Sequence, residues 1–185
     1  MELVHSVLGV SSTVVAKDIF WRPPPLGIIK FNVDVAMLHD SAKIAVVARY
    51  DLGLLFKAWA KRIHTTVPLV AEASAILWAV QLAKMEELRG IIVESDSKLC
   101  VDAISLDKAA CDWNISTLCL DVIGLAAEFF SCNFCWVKRE ANMTAQTLAK
   151  FCSPQDLPVN YFPKNLPTPL GEAWFRDFCC SSFSV

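Results

Sequence analysis

The chain has 185 residues, 55% of them hydrophobic and 19% charged, which is enough for one substantial buried core and implies a single domain with flanking segments. A formal charge of −2 excludes a globally basic nucleic-acid binder, so a polyanion would have to be met by a local patch or through bound cations. No stretch reaches the ~18 uncharged apolar residues of a membrane helix, because Glu72 and Gln81 interrupt the richest run.

The opening MELVHSVLGVSS carries Glu2 and lacks a basic n-region, which argues against a secretory signal. The eight cysteines are therefore expected to be thiols in a reducing compartment, inside the cell and either nuclear or cytoplasmic. Residues 1–27 are expected to be irregular and end in WRPPPLG, whose prolines suit neither helix nor central strand. The domain is expected over 28–152. Its first segment, IIKFNVDVA, alternates: Ile29, Phe31, Val33 and Val35 point to one face, Lys30, Asn32 and Asp34 to the other. AKIAVVARY and LLFKAWAKR follow as two more strands around Asp51-Leu52-Gly53, where Gly53 can take the positive φ of a short hairpin. The first three strands then form an antiparallel meander.

From Leu69 the period changes. Leu69, Ala73, Ile76, Leu77, Val80 and Ala83 recur at helical spacing, which predicts a helix over 69–88 with Pro68 in its first turn and Gly90 beyond its end. IIVES at 91–95 has the unbroken apolar character of a buried parallel strand. Helices over 98–106 and 115–130, a strand over 134–138 and a helix over 141–152 complete the order βββαβααβα. After Ser153 the prolines at 154, 158, 163, 167 and 169 predict an irregular tail over 153–185. Cys132 and Cys135 form a CxxC, but within a strand they face opposite ways, which disfavours both zinc and a redox pair. Trp59, Trp78 and Trp136 lie in predicted elements and are expected in the core. His5, His39 and His64 show no metal-ligand spacing.

Three acids fall at positions that can converge. Asp34 lies inside the first strand, Glu72 in the first turn of the long helix, and Asp96 just past the carboxyl end of the fourth strand. If the first and fourth strands pair in parallel, Asp34 and Asp96 are neighbours where open α/β sheets bind ligands. Unpaired buried acids neutralise, whereas divalent cations keep them ionised, and hard oxygen ligands point to Mg²⁺ or Mn²⁺. Each acid also has a bland explanation. Asp96 or Ser95 can cap the next helix, and Glu72 suits a helix dipole. Asp34 resists one, since aspartate is depleted inside strands.

The segments NVDVA, AEASAILWAVQLA, VESDS and VKREANMTAQTLAK, in that order over residues 21–152, resemble the ribonuclease H family, specifically plant ribonuclease H-like domains related to retroelement reverse transcriptases. The resemblance implies an α/β ribonuclease H-like fold with a five-stranded mixed sheet flanked by helices, its first three strands antiparallel and its fourth and fifth parallel to the first. It implies a metal-dependent endonuclease that hydrolyses the RNA strand of RNA/DNA hybrids with two Mg²⁺ or Mn²⁺ ions about 4 Å apart; separately, a monomer with no membrane partner is expected. Asp34 would bridge both ions and Glu72 and Asp96 would complete the leaving-group metal, while Asn32, Ser97 and Asn142 would meet the nucleic acid and its 2′-hydroxyls.

Departures from the family pattern bear on activity. Gln146 stands where the fourth catalytic carboxylate is usual, and Asn142, one turn earlier, cannot supply the missing charge. A neutral amide there implies a loss of about 10² or more in rate. Val35 replaces a usual glycine, and Lys43 and Ala45 occupy a usually glycine-rich stretch. These side chains either obstruct the hybrid or, for Val35, pack inward, and Lys43 can alternatively meet a phosphate. The alternatives to an enzyme are a catalytically inactive nucleic-acid-binding or interaction module and a retroelement remnant. Positive charge is modest, with Lys61, Arg62, Lys138, Arg139 and Lys150 at or near element ends.

Overall fold

The computed structural model describes residues 19–105, 112–151 and 158–182. β1 (Ile29–Met37), β2 (Ala42–Arg49) and β3 (Leu55–Ile63) form the antiparallel meander. At the β2–β3 turn Gly53 has φ 76°, and the Tyr50 N–H donates to the Leu54 carbonyl at 2.9 Å. α1 (Pro68–Met85) begins with proline at its start and no side-chain cap on Val67. It ends three residues before the predicted Leu88. Glu87 takes φ 56°, and the N–H groups of Glu87 and Leu88 return to the carbonyls of Lys84 and Ala83, a Schellman closure with glutamate where glycine is usual.

β4 (Gly90–Ser95) pairs in parallel with β1, and β5 (Ser131–Trp136) in parallel with β4. Between them lie α2 (Lys98–Ser105) and α3 (Ser116–Ala126), the latter shorter than the span of 115–130 predicted. A 3₁₀ turn (Arg139–Asn142) leads into α4 (Met143–Phe151). Leu106 and Cys152, the predicted ends of two helices, lie outside the described residues.

The irregular tail is the main correction. β6 (Val159–Tyr161) adds antiparallel to the edge of β3, and α5 (Thr168–Ser182) packs beneath the sheet, which has six strands in the order β5-β4-β1-β2-β3-β6. Proline density misled because its positions are the tolerated ones. Pro158 precedes an edge strand and Pro169 sits in the first turn of α5.

Strand parity separates two cores. Ile29, Phe31, Val33, Ile44, Val46 and Ile91 pack under α1 and α3, whereas Ala45, Val47, Ala58 and Ala60 face Leu148 of α4 and Leu170 of α5. The second face also holds a buried polar network. The fully buried Arg49 donates through Nη1 to Asp177 Oδ2 of α5 at 2.8 Å and through Nη2 to Asn32 Oδ1 at 2.7 Å, with its guanidinium 3.8 Å from the centre of the Trp21 ring. Trp21 Nε1 also donates to Asn32 Oδ1, Asn32 Nδ2 to Glu94 Oε2, Lys30 pairs with Glu94 at 2.6 Å, and Thr144 of α4 donates to Asp177 at 2.5 Å. Two cations and two anions balance, so this desolvated cluster carries no net charge. The lead-in and α5 are thereby tied to β1 and β2.

Cys132 sits across from Ile91 and packs on the main core, while Cys135 sits across from Glu94 on the other face; both thiols are free. Among the described residues, no helix is long and apolar enough to cross a membrane.

Candidate active site

Parallel pairing of β1 with β4 sets the centre of the site. Val33 lies opposite Ser95, so Asp34 and Asp96 follow at the next step along the two strands. Asp34 is 2% exposed and its carboxyl is pushed up to about 7, first by burial and then by the charge of Asp96. Glu72 of α1 is pushed up to about 8 by burial and by the charges of Asp34 and Asp96. Asp96 is raised by burial, with the Arg139 guanidinium acting against that rise from 4.0 Å away. The three acids thus feel one another electrostatically. Asp34 Oδ2 and Glu72 Oε2 are buried without any hydrogen-bond partner.

The bland explanation of Glu72 fails. α1 starts at Pro68 and has no acid in its first turn, so Glu72 lies deeper than the helix dipole reaches. The capping explanation of Asp96 and Ser95 is not supported either: the first helical bond of α2 runs from the Val101 N–H to the Ser97 carbonyl, Ser95 Oγ accepts the Ser97 N–H at 3.1 Å ahead of the helix, and the Asp96 carboxylate stands beside Arg139.

The remaining expected residues divide. Gln146 of α4 is 5% exposed, and its Oε1 accepts from Lys150 Nζ at 3.1 Å while its Nε2 is buried without a partner. Ser97 is half-buried at the start of α2, next to Asp96. Asn32 and Asn142 are corrected. Both are fully buried; Asn32 is held by Trp21, Arg49 and Glu94, and Asn142 Nδ2 donates to the Val33 carbonyl at 2.7 Å, so neither presents itself to a nucleic acid. Asn142 instead fastens the start of α4 to β1 one residue before Asp34. Lys43 is likewise used internally, its Nζ donating to the Lys150 carbonyl at 2.7 Å. Val35 packs against the main core and Ala45 lies in the second one, as inward parity requires.

The donor set fits a hard divalent cation in chemistry: three carboxylates, two of them with buried, unpartnered oxygens and a raised proton affinity. Distance is a separate matter. Among the described residues no three His, Cys, Asp or Glu side chains stand close enough to hold a single ion, so the expected shared pocket is present as a neighbourhood and not as a closed ligand cage.

The sequence profile of the reverse transcriptase-like family matches residues 31–152, which include all four candidate site positions. The chain belongs to that family. No curated protein matches it significantly. Solved ribonuclease H structures share its fold. The N-terminal RNase H domain of a Mycobacterium tuberculosis protein, solved as a fusion with maltose-binding protein, aligns with TM-score 0.61 and 22% identity over 66% of this chain and 91% of that one. RNase H1 of Halobacterium salinarum aligns with TM-score 0.60 and 20% identity over 66% and 95% of the two chains. A compost-derived RNase H1, solved in complex with an RNA/DNA hybrid, gives 0.60 and 21% over 66% and 94%. At these identities the likeness is one of fold.

Two residues of this reverse transcriptase-like domain matter more than the sequence reading allowed. Arg139 lowers the proton affinity of all three acids, and Lys150 lowers that of Asp34 while holding Gln146. Both read as solvated charges at element ends. Spacing held a usable signal for Lys150, which is one helical turn beyond Gln146.

Proposed function

We propose that the chain is a ribonuclease H-type hydrolase that cuts the RNA strand of RNA/DNA hybrids with the help of Mg²⁺ or Mn²⁺, and that Gln146 weakens it. The observation that carries this reading is that Asp34, Glu72 and Asp96, drawn from a strand, a helix and a strand end, lie near enough to raise one another's proton affinity, with one oxygen each of Asp34 and Glu72 buried without a partner. Family membership and the ribonuclease H fold support it.

Asp34, Glu72 and Asp96 do not stand close enough here to hold one ion together, so they would have to draw in around a cation, which would supply activation of water and stabilisation of the leaving oxygen when bound. The chain's own residues prepare the place. Asn142 fixes the start of α4 against β1, Arg139 stands 4.0 Å from the Asp96 carboxylate, and Ser97 just before α2 is a polar group open to a 2′-hydroxyl. Burial of Asp34 and Glu72 raises the cost of leaving them ionised without a countercharge, which favours capture of a divalent ion.

A second reading is favoured by one observation: the fourth position holds an amide bonded to a lysine, which suits a hybrid-binding module without turnover. Cleavage of a labelled hybrid in Mg²⁺ and in Mn²⁺ separates the two. The enzyme reading expects cutting above background that Asp34→Asn abolishes and Gln146→Asp increases about 10²-fold. Salt-dependent binding of the hybrid with no cutting by the wild type or by Gln146→Asp would leave only the module.

A further inference from the structure

α3 is apolar on every side. Of its residues Ser116–Ala126, only Asp121 carries a charge. Cys119 and Val122 are buried, and Leu118 and Leu125 pack on the main core, which accounts for one half of the helix. The opposite half is apolar as well. Leu120 and Ile123 are exposed, and turns that continue the coil at both ends, closed by the N–H groups of Ile115 and Phe129, add Trp113 at 82% and Phe130 at 88% exposure. Trp113, Leu120 and Ala127 follow at seven-residue steps, two helical turns each, and so form one line pointing away from the core. A surface helix ordinarily carries its charges there, and a helix that is hydrophobic all round is ordinarily buried. Gly124 lies beside this line. Glycine weakens a helix interior relative to alanine, yet a Cβ at Gly124 would meet nothing within 4 Å, so the chain's own packing does not call for it. What a missing side chain does permit is the close approach of another backbone.

The order of sizes and charges along α3 says what fits it. Turning a second copy of the helix end over end, about a point between Ile123 and Gly124, sets Leu120 of each copy against Ala127 of the other, large against small. The same turn brings Gly124 to Gly124 and Ile123 to Ile123 at the middle. A parallel alignment has no such match, since it sets Leu120 against Leu120 and Trp113 against Trp113. Charge agrees with size. Lys84 of α1 is tied to Glu128 at 2.7 Å, toward one end of the line, and Asp121 lies on the same shoulder of the helix before its middle. Antiparallel pairing therefore carries Lys84 of one copy toward Asp121 of the other. The line also runs clear of the carboxylates: Phe130 directly precedes β5, whose first residue, Ser131, pairs with Gly90 at the end of β4 remote from Asp96.

We propose that α3 is a self-association surface, on which a second copy of this chain docks through its own α3, antiparallel, with Gly124 at the crossing. It stands in place of the monomer expected from the sequence and is independent of the hydrolase reading. Trp113 to Phe130 spans about 27 Å of coil in a line about 10 Å wide. Two copies then bury on the order of 600 Å² together, less than half of the roughly 1,600 Å² of a standard interface, so the pair is weak and forms only at high concentration.

Sedimentation equilibrium of the full chain, in reducing buffer with EDTA, reads the association from about 5 to about 500 µM, the range where so small an interface should dissociate. The wild type passes from monomer to dimer. Leu120→Asp, which puts a charge at the centre of the line, weakens the dimer at least ~20-fold, and Gly124→Gln, which blocks the crossing, weakens it at least ~5-fold. The register is read by exchanging sizes. Ala127→Leu alone weakens the dimer about tenfold by setting leucine against leucine, whereas Ala127→Leu combined with Leu120→Ala restores it to within about threefold of the wild type. Circular dichroism checks the fold of each variant. A wild type that is monomeric at the highest concentration overturns the proposal, as does a dimer that Leu120→Asp leaves unchanged, which would place the contact on another face. Should Leu120→Asp lose its fold, Gly124→Gln decides alone, since its added side chain enters open space, and an unchanged dimer refutes the crossing. A double variant no stronger than Ala127→Leu refutes the antiparallel register.

Discussion

The raised proton affinity of Asp34 makes stability depend on pH in an unusual direction. An aspartate with an ordinary value of 3.8 in the unfolded chain and about 7 when folded binds its proton more tightly in the native state, so unfolding releases protons and stability falls as pH rises between the two values. For Asp34 alone, without metal, the loss amounts to about 2 kcal/mol near pH 5 and about 4 kcal/mol near pH 7, and changes little above that. Glu72, about 8 when folded, acts in the same direction to a higher pH. Asp34→Asn removes the ionisation and keeps the shape. Urea unfolding in EDTA should therefore show the wild type losing stability from pH 4.5 to 7.5 and the variant losing about 2 to 4 kcal/mol less, so that Asp34→Asn is the more stable protein near pH 8. Adding Mg²⁺ at pH 8 should restore stability to the wild type and leave the variant nearly unchanged. A wild type whose stability is level over that range, or a variant less stable than it at pH 8, would refute the claim that burial without a countercharge strains this site.

Other expected outcomes follow from the same contacts. Asp177→Ala leaves Arg49 buried without its anion and should cost about 3 to 5 kcal/mol in urea unfolding, a loss that an independent tail would not produce. Asn32→Ala removes the acceptor of Trp21 and Arg49 and should destabilise by about 1 to 3 kcal/mol, while hybrid binding per folded molecule, measured by anisotropy, stays within twofold. Cys132, pushed up to about 12 by burial, should resist alkylation at pH 8 in the native protein and react only on unfolding, as mass spectrometry of iodoacetamide-treated samples would show.

The legible part of this protein was periodic. Alternation in IIKFNVDVA showed which side chains of β1 face which core, and the apolar run of IIVES marked a buried parallel strand; its pairing with β1, conditional in the sequence, is what brings Asp34 and Asp96 to the same step. The C-terminal segment was not legible, because proline count carries no information about position. Pro158 and Pro169 sit where a missing N–H is harmless. Nor does composition reveal that Asp177, 128 residues from Arg49, is its partner. Asn32 was placed on the right strand and Asn142 in a helix where the structure has a 3₁₀ turn, and both are buried away from the expected nucleic-acid contact, since a polar side chain near a predicted site looks the same in sequence whether its hydrogen bonds end inside the protein or outside it.

β1 itself shows how the two cases differ in structure. Lys30, Asn32 and Asp34 share one face of one strand, and all three are buried. Lys30 ends on Glu94 and the Arg22 carbonyl, and Asn32 ends on Trp21, Arg49 and Glu94. Asp34 keeps an unpartnered oxygen and faces two other acids. Burial along this face is equal and satisfaction is not: the strand satisfies the polar groups of Lys30 and Asn32, whereas Asp34 Oδ2, like Arg49 Nε in the adjoining network, is buried without a partner. Asp34 Oδ2 is thus a cost that burial places on the fold, and a substitution that supplies it with a donor from within the protein should raise stability, as urea unfolding would show.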